Sequence, residues 1–388
     1  MSPGPNTTAS HGSDEMPEVA ELPMSTPIWQ VADYGFESAE TYADVINERR
    51  EGQVYGRYGN PTLEALAKVM ASLEKAESAW VFSSGMGAIH ATLMHFASSG
   101  SRVVVAPAIY GGTYGLLTQG FPRAGIDVDF VDLADEAALE RALERPAACV
   151  LVETIANPTF RVSDIERVAR LCKAQGVPLV VDNTVASPVL VNPLDLGATI
   201  VLHSTSKYIG GHHDLMGGVV CGASELLDGI RHLAIRYGTT ASAFESWLAL
   251  RGVATLGLRM QRQSENALAI ARELEAGGAE VSYPFLESHP DNTLAVTMLR
   301  WGGGMIAVDL GSQNAAWRFM NACRIARVGS SFGGVRSELT HPATTSHRQF
   351  DQADREAAGI GDGLVRISVG IEDLEDLLED FKQAMEEV

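Results

Sequence analysis

Residues 200–214 read IVLHSTSKYIGGHHD, and this segment decides how the chain around it is interpreted. Its apolar start predicts a buried strand, and the hydroxyl residues after it predict that the strand leaves the core just before Lys207. A lysine placed there is partly desolvated, so it can lose its proton near neutral pH and become a nucleophilic amine that forms a Schiff base. A solvated loop lysine is the alternative, because Ser-x-Ser-Lys alone is a weak motif.

A second apolar run, VPLVVDNT at residues 177–184, carries an aspartate at its end. Ligands of parallel sheets collect at the carboxyl ends of the strands, so Asp182 and Lys207 can face one crevice. Pyridoxal phosphate requires a lysine and a carboxylate placed in this way. The lysine binds the aldehyde, and the carboxylate keeps the pyridine nitrogen protonated. Taken alone, Asp182 is also typical of a helix cap or a turn.

Seven motifs, in this order, carry a resemblance to a known family. They are YGRYGNPT (55–62), SSGMGA (83–88), YGGT (110–113), ETIANP (153–158), DNT (182–184), the Lys207 segment and VRISVG (365–370). From about Tyr55 to the C-terminus, the chain resembles the pyridoxal-phosphate enzymes of cysteine and methionine metabolism. The resemblance implies pyridoxal 5'-phosphate as the cofactor and an α/β fold, the PLP-dependent transferase fold type I. That fold has a mostly parallel sheet in a large domain and a smaller C-terminal α/β domain.

The same resemblance implies the cofactor contacts. Tyr55 and Arg57 are implied to reach the cofactor phosphate of an adjacent subunit, and an arginine–aromatic stack in a surface turn is the alternative. Gly85 and Met86 follow a predicted strand and open a predicted helix, where backbone amides and the helix dipole attract a phosphate. The remaining implied contacts are Asn157 at ring oxygen O3', Asp182 at the pyridine nitrogen, the hydroxyls of Ser204 and Ser206 near the phosphate, and Lys207.

Four residues are implied to act on the substrate. Lys207 and Tyr110 are the implied catalytic residues. Tyr110 would stack on the pyridine ring and exchange a proton with the leaving group, and a buried packing tyrosine is the alternative. Ser331 and Arg366 match the residues that hold the substrate carboxylate. Arg366 lies among apolar strand residues, where its charge is costly without an anion, so this role is favoured over a structural salt bridge. We expect no metal site, since no metal-ligand spacing is apparent.

The implied reaction is replacement or elimination at Cγ of an L-amino acid that carries a leaving group there. Replacement on an activated homoserine by a thiol, as in cystathionine γ-synthase, is favoured because the YGRYGNPT motif and Gly112 look more like that branch. Methionine γ-lyases commonly carry cysteine in place of Gly112. The alternatives are a cystathionine or methionine γ-lyase that releases 2-oxobutanoate and ammonia, an enzyme for a specialised non-sulfur amino acid, and an aminotransferase-like enzyme. Ser330 and Arg336 bear on this choice, since both stand where cystathionine-processing relatives often carry glutamate.

Bulk composition limits the partners. A chain of 388 residues with a formal charge of -20 and no visible basic patch is not expected to bind nucleic acid or an anionic membrane. Its four widely spaced cysteines are expected to be reduced core thiols. No apolar signal segment or run of about 18 apolar residues is apparent, so we expect a cytoplasmic protein. The resemblance implies a homotetramer, built from dimers that share active sites, acting on a small amino-acid substrate.

Alternating strand and helix patterns predict the order of the elements. Strands are predicted at residues 80–82, 102–107, 126–131, 149–152 and 179–181, with an amphipathic helix at 163–175 between the last two. Further along, helices are predicted at 244–258 and 266–274, and strands at 294–298, 305–310 and 364–369. We therefore expect a disordered tail and an N-terminal arm contacting a neighbouring subunit (1–54), a PLP-binding domain (55–245) and a C-terminal domain (246–388).

Overall fold

The computed structural model describes residues 23–388. The predicted disordered tail, from Met1 to about residue 23, lies almost wholly outside the described residues. The predicted arm is mostly exposed and contains one short helix, α1 (Ala39–Ile46), and a β-bridge joins Asp33 to Tyr55. The division of the chain at 245/246 stays a prediction. It falls between the strands of two separate sheets, but inside the helix Ala243–Val253.

A seven-stranded sheet forms the larger part of the fold. Its strands are β1 (Ser78–Phe82), β2 (Arg102–Val105), β3 (Asp127–Phe130), β4 (Cys149–Glu153), β5 (Leu179–Asp182), β6 (Ile200–Ser204) and β7 (Gly218–Gly222). Their spatial order is β1-β7-β6-β5-β4-β2-β3, and only β7 runs against its neighbours. The sheet is therefore mostly parallel, as predicted.

The central strands are apolar on both faces because packing covers both faces of the sheet. In β2, Val103 and Val105 enter the core on one face, and Val104 enters a second core on the other. Successive residues of a strand point to opposite faces, so a strand buried on both sides is a continuous apolar run. The helices of this part are α2 (Pro61–Glu74), α3 (Gly85–Phe96), α4 (Gly111–Gly115), α5 (Glu136–Leu143), α6 (Ile165–Ala174), α7 (Ser187–Leu190), α8 (Ser224–Tyr237) and α9 (Ala243–Val253).

A five-stranded sheet follows. Its strands are β8 (Glu280–Ser282), β9 (Met305–Asp309), β10 (Arg327–Val328), β11 (Glu338–Thr340) and β12 (Leu364–Ser368), in the spatial order β10-β11-β12-β9-β8. Ile306 and Val308 of β9 and Val365 and Ile367 of β12 form its core. The accompanying helices are α10 (Leu256–Ala276), α11 (Asn292–Met298), α12 (Gln313–Ala322), α13 (Gln352–Ala357) and α14 (Leu374–Met385).

Two of the predicted elements are wrong. The strand predicted at 294–298 is the helix α11, in which Ala295 is buried and Val296 is exposed. Its β-branched residues suggested a strand, but the chain entering from Asp291 forms a helical hydrogen bond between Ala295 N–H and Asp291 O (2.8 Å). The helix predicted at 244–258 is two helices, α9 and α10.

Residues 23–388 show neither a membrane-spanning helix nor a metal-ligand cluster. None of their helices combines the length and the apolar character needed to cross a membrane. Within the same residues, no group of three or more His, Cys, Asp or Glu side chains is placed to hold a metal ion.

Candidate active site

Lys207 lies in the turn after β6, with its amine held largely inside the protein. Its Nζ donates a hydrogen bond to Ser331 Oγ (2.9 Å) and lies 5.0 Å from the centre of the Phe332 ring. Burial, together with the nearby Arg366 charge, lowers the pKa of Lys207 to about 8. A fraction of molecules therefore carries a neutral, nucleophilic amine near neutral pH.

Arg366 belongs to β12, where it pairs with Thr340 of β11, and its side chain is almost completely buried. Nη2 donates to Ser331 O (2.7 Å) and to Thr340 Oγ1 (2.9 Å), and Nη1 donates to Asn157 Oδ1 (3.2 Å). These acceptors are neutral, and Nε has no hydrogen-bond partner among the described residues. Because a buried guanidinium whose hydrogen-bond acceptors are all neutral is costly, this side chain is suited to receive an anion. Burial lowers its pKa to about 10.

Asp182 is the last residue of β5, which runs parallel to β6. It therefore lies at the same edge of the sheet as the turn that carries Lys207. Its Oδ1 accepts the N–H of Thr184 (2.9 Å). Burial raises the pKa of Asp182, whereas the Thr184 hydrogen bonds and His203 act in the opposite direction. A cation beside this carboxylate would favour its ionised form, and a protonated pyridine nitrogen is such a cation.

Glu153 is a site residue to which the sequence analysis assigned no role. It ends β4 as the pairing partner of Asp182, and its two oxygens accept the backbone N–H groups of Tyr110 (2.7 Å) and Asn157 (2.9 Å). Burial and the neighbouring Asp182 raise the pKa of Glu153 to about 8. One side chain thus fixes the backbone of two predicted cofactor contacts. The sequence could have indicated this role, because Glu153 is an acidic residue at the end of an otherwise apolar strand.

A buried polar network adjoins Asp182 on the neighbouring strand. His203 Nε2 lies 2.6 Å from Glu74 Oε1, and Asn183 Nδ2 donates to the same oxygen (3.0 Å). Thr154 Oγ1 donates to Asn183 Oδ1 (2.8 Å). The network satisfies most of its buried polar atoms, which stabilises the strand ends that carry the site.

Three predicted phosphate contacts come together at the N-terminus of α3. Ser84 caps this helix, since its Oγ accepts the N–H of Gly87 (3.0 Å). Gly85 packs so closely on Ser204 that a Cβ at position 85 would lie 2.8 Å from the Ser204 Cβ. The first amides of the helix, Gly85 and Met86, therefore start directly against the end of β6. This arrangement provides donors and a helix dipole for a phosphate.

Three other predicted cofactor contacts are engaged elsewhere in the chain. Ser206 Oγ accepts the N–H of Gly217 (3.0 Å), which ties the Lys207 turn to the start of β7. Tyr55 is 43% exposed, and the Arg57 guanidinium lies 4.9 Å from the centre of the Tyr58 ring. A single chain therefore shows Tyr55 and Arg57 in a stacked surface turn and does not bring them to the lysine.

Tyr110 lies at the start of α4 and is 39% exposed. Its ring covers Gly112, since a Cβ at position 112 would lie 2.5 Å from Tyr110 Cε1. Gly111, which directly follows Tyr110, lies so close to the carbonyl oxygen of Ser346 that a side chain at position 111 would not fit. The absence of side chains at Gly111 and Gly112 thus allows the Ser346 carbonyl and the Tyr110 ring to lie directly against this backbone.

The donor set fits pyridoxal phosphate. Lys207 supplies an amine with a lowered pKa, and Asp182 supplies a carboxylate that a cationic ring nitrogen would stabilise. The first amides of α3, packed beside Ser204 at the end of β6, supply hydrogen-bond donors for a phosphate. Arg366 remains available for a substrate carboxylate.

Residues 6–386 match the family described as Cys/Met metabolism PLP-dependent enzyme. The chain belongs to this family and is a pyridoxal-phosphate-dependent enzyme, which confirms the predicted cofactor and fold. It is 40% identical over 368 residues to the cystathionine gamma-lyase of Bacillus subtilis, covering 94% of this chain and 95% of the relative. It is also 40% identical over 361 residues to the O-succinylhomoserine sulfhydrylase of Pseudomonas aeruginosa, covering 92% and 90%.

A solved structure also supports membership of this family. The crystal structure of cystathionine gamma synthase from Xanthomonas oryzae pv. oryzae, in complex with aminoacrylate and cysteine, matches with a TM-score of 0.90. That match has 35% identity and covers 95% of both chains. The similar proteins share the family but not one activity, because lyases, a sulfhydrylase and a synthase are all among them.

Proposed function

We propose that this enzyme replaces the Cγ substituent of an activated L-homoserine by a thiol, using pyridoxal phosphate held at Lys207. The observation that best supports the proposal is the contact chain from Lys207 through Ser331 to Arg366. It places a weakly basic amine beside a guanidinium suited to a carboxylate, which are the two groups that an L-amino acid needs at its α-carbon. The proposed cofactor contacts are those predicted from the sequence, with Glu153 bracing two of them.

When bound, pyridoxal phosphate withdraws electrons from the α-carbon of the amino acid. Arg366 and Ser331 orient the substrate through its carboxylate. Lys207 then removes the α-proton, and a pKa of about 8 suits a general base near neutral pH. Asp182 holds the proton at the ring nitrogen. Tyr110, whose ring is partly exposed at the site, donates a proton to the departing Cγ substituent.

Gly112 supports replacement over methionine elimination. A Cβ at this position would collide with the Tyr110 ring, so cysteine does not fit there unless Tyr110 moves. The similarity to an O-succinylhomoserine sulfhydrylase is consistent with an activated homoserine as substrate. The equal identity to a cystathionine gamma-lyase supports cystathionine elimination as the second candidate. Ser330 and Arg336 are exposed and accessible to a distal group, which would suit a specialised amino acid.

Product analysis tests the proposal. Full-length protein with pyridoxal phosphate is mixed with O-succinyl-L-homoserine, with and without L-cysteine, and with L-cystathionine alone. We expect cystathionine only when cysteine is present. If 2-oxobutanoate and ammonia from cystathionine are the main products, the enzyme is a lyase. Reaction with neither substrate would assign a specialised amino acid, and accumulation of pyridoxamine phosphate would reveal transamination. The Lys207→Ala variant should lack the visible band of the lysine-bound cofactor.

We also propose that the active site is completed in a homotetramer built from dimers. The exposure of Tyr55 and the surface position of Arg57 support this, because a phenol and a guanidinium are suited to a phosphate that another subunit holds. Gel filtration with light scattering tests the assembly. Mixing Arg57→Ala with Lys207→Ala protein tests the sharing, since mixed dimers with one intact site should recover activity.

A further inference from the structure

The carboxylate of Glu338 lies beside the Lys207, Ser331 and Arg366 group, although no sequence motif pointed to it. Glu338 begins β11 and pairs with Ser368 of β12, and two residues on, Thr340 pairs with Arg366. Because alternate residues of a strand point to the same face, Glu338 and Thr340 share the face from which Arg366 projects. Only 13% of the Glu338 side chain is exposed.

Glu338 provides the hydrogen bond that fixes Ser331. Gly329 N–H donates to Leu339 O (2.9 Å), and Thr340 Oγ1 donates to Gly329 O (2.6 Å), so both bonds hold Gly329. Ser331, two residues further along, is held by a carboxylate instead, since its N–H donates to Glu338 Oε1 (2.6 Å). This bond is charge-assisted, which makes it stronger than a bond between neutral groups.

The hydroxyl oxygen, the carbonyl oxygen and the N–H of Ser331 are therefore each engaged. Its Oγ accepts from Lys207 Nζ, its carbonyl oxygen accepts from Arg366 Nη2, and its N–H donates to Glu338. If Glu338 is removed, neither Lys207 nor Arg366 can replace the third contact, because both are hydrogen-bond donors. The carboxylate also lies close enough to counter the mutual repulsion of two largely buried cations, because it raises the pKa of both Lys207 and Arg366.

The second oxygen of Glu338 faces the loop that follows Lys207. His213 Nε2 lies 3.8 Å from Glu338 Oε2, and the His213 ring packs against Gly334. His213 adopts φ 58°, a left-handed conformation that is uncommon for a residue with a side chain. Val335 N–H also donates to Gly211 O (3.0 Å), so the two loops are joined by a backbone bond beside the His213 contact.

We propose that Glu338 is a positioning residue of the carboxylate-binding group: through its bond to the Ser331 N–H, it holds Ser331 in contact with Lys207 and Arg366. This inference rests on the proposed amino-acid chemistry at Lys207.

Gly329 offers a way to move the Glu338 carboxylate without changing Glu338. A Cβ at position 329 would collide with Glu338 Oε1. Gly329 does not have positive φ, so its backbone accepts alanine, and the flexible carboxylate is the group that must shift. Gly329→Ala and Glu338→Ala should therefore act through one contact.

The test measures binding of glycine, which has a carboxylate but no Cγ, by titrating the visible band of the cofactor-bound enzyme. We expect Glu338→Ala to raise the dissociation constant about tenfold, the size of one lost charge-assisted hydrogen bond. Glu338→Gln retains an acceptor oxygen and should stay within about threefold. Gly329→Ala should weaken binding, and the double variant Gly329→Ala/Glu338→Ala should bind like Glu338→Ala alone. The exposed Glu287→Gln is the matched control.

Three results would overturn the inference: wild-type binding by Glu338→Ala, equal losses in the Gln and Ala variants, or free-energy costs of Gly329→Ala and Glu338→Ala that add. If Glu338→Ala does not fold, Glu338→Gln and Gly329→Ala carry the comparison.

A second measurement separates this inference from the proposed function. If the wild-type protein develops no visible band with pyridoxal phosphate, the proposed chemistry fails. Placement of Glu338 is then tested on cofactor-free protein, by following modification of Lys207 with an amine-reactive reagent as a function of pH. We expect the midpoint for Lys207 to be lower in Glu338→Gln than in wild type, because a negative charge beside the amine is lost. An unchanged midpoint would show that Glu338 does not face Lys207.

Discussion

Glu153 and Asp182 end neighbouring parallel strands as direct pairing partners, and Asp182 together with burial raises the pKa of Glu153 to about 8. Two adjacent buried carboxyl groups do not ionise independently, because a charge on one disfavours a charge on the other. Because Glu153 also accepts the N–H groups of Tyr110 and Asn157, its protonation affects how it holds the backbone of these two residues.

This relationship predicts a pH-dependent stability. The folded-state pKa of Glu153 is above the value of about 4.3 for an unfolded chain. Its contribution to stability is therefore present below the unfolded pKa and is lost as pH rises towards 8, by up to about 1.4 kcal/mol per pH unit. Gln cannot titrate, so the advantage of wild type over Glu153→Gln should shrink with pH. Urea unfolding of cofactor-free protein between about pH 5 and pH 8 measures this, and a constant difference would contradict it.

The sequence was sufficient to identify the residues that carry charge at strand ends. Lys207 and Asp182 each follow an apolar run, and parallel strands place such positions at one edge. The sequence did not reveal that Ser331 contacts Lys207, because the two residues are 124 positions apart. Lys207 lies between two strands of the seven-stranded sheet, and Ser331 lies between two strands of the five-stranded sheet. That contact depends on how the second sheet packs against the first, which no local pattern records.

The residues that were missed act through other residues. Glu153 holds backbone N–H groups, Glu338 holds the N–H of Ser331, and His203 pairs with Glu74. A motif records chemistry at the ligand, whereas these contacts follow from how strand ends, loops and the helix α2 pack together. The strand predicted at 294–298 was wrong for a different reason. Its β-branched residues favoured a strand, but the hydrogen bond from Ala295 N–H to Asp291 O makes the segment helical.

Gly112→Ala is expected to lower kcat about tenfold or more while the visible cofactor band remains. The added Cβ would lie 2.5 Å from Tyr110 Cε1, so the tyrosine ring must move away from its position over Gly112. A displaced phenol is a poor proton donor to the leaving group, and loss of general acid catalysis costs about 10²-fold when complete. Gly257→Ala is the control, since its Cβ would meet open space. Steady-state kinetics compares the two, and equal kcat values would contradict the role of Gly112.

Arg366→Lys is expected to raise KM for the amino acid by about two orders of magnitude. Lysine keeps the charge but loses the planar fork that contacts Ser331, Thr340 and Asn157 together. The cofactor band should remain, because Lys207, which is proposed to bind the cofactor aldehyde, is unchanged. Kinetics and an absorption spectrum on the same sample check both points. A variant with unchanged KM would show that the guanidinium does not hold the substrate carboxylate.

Glu74→Ala is expected to destabilise the protein by about 3 kcal/mol, because it leaves His203 and Asn183 as buried polar groups without their shared acceptor. Glu74→Gln retains an acceptor oxygen and should cost less, about 1 kcal/mol. Lys68→Ala, an exposed change on the same helix α2, should stay within about 0.5 kcal/mol. Urea unfolding of the three variants measures these differences. If Glu74→Ala were as mild as Lys68→Ala, the network would not support the strand ends that carry Asp182, and its burial would need another explanation.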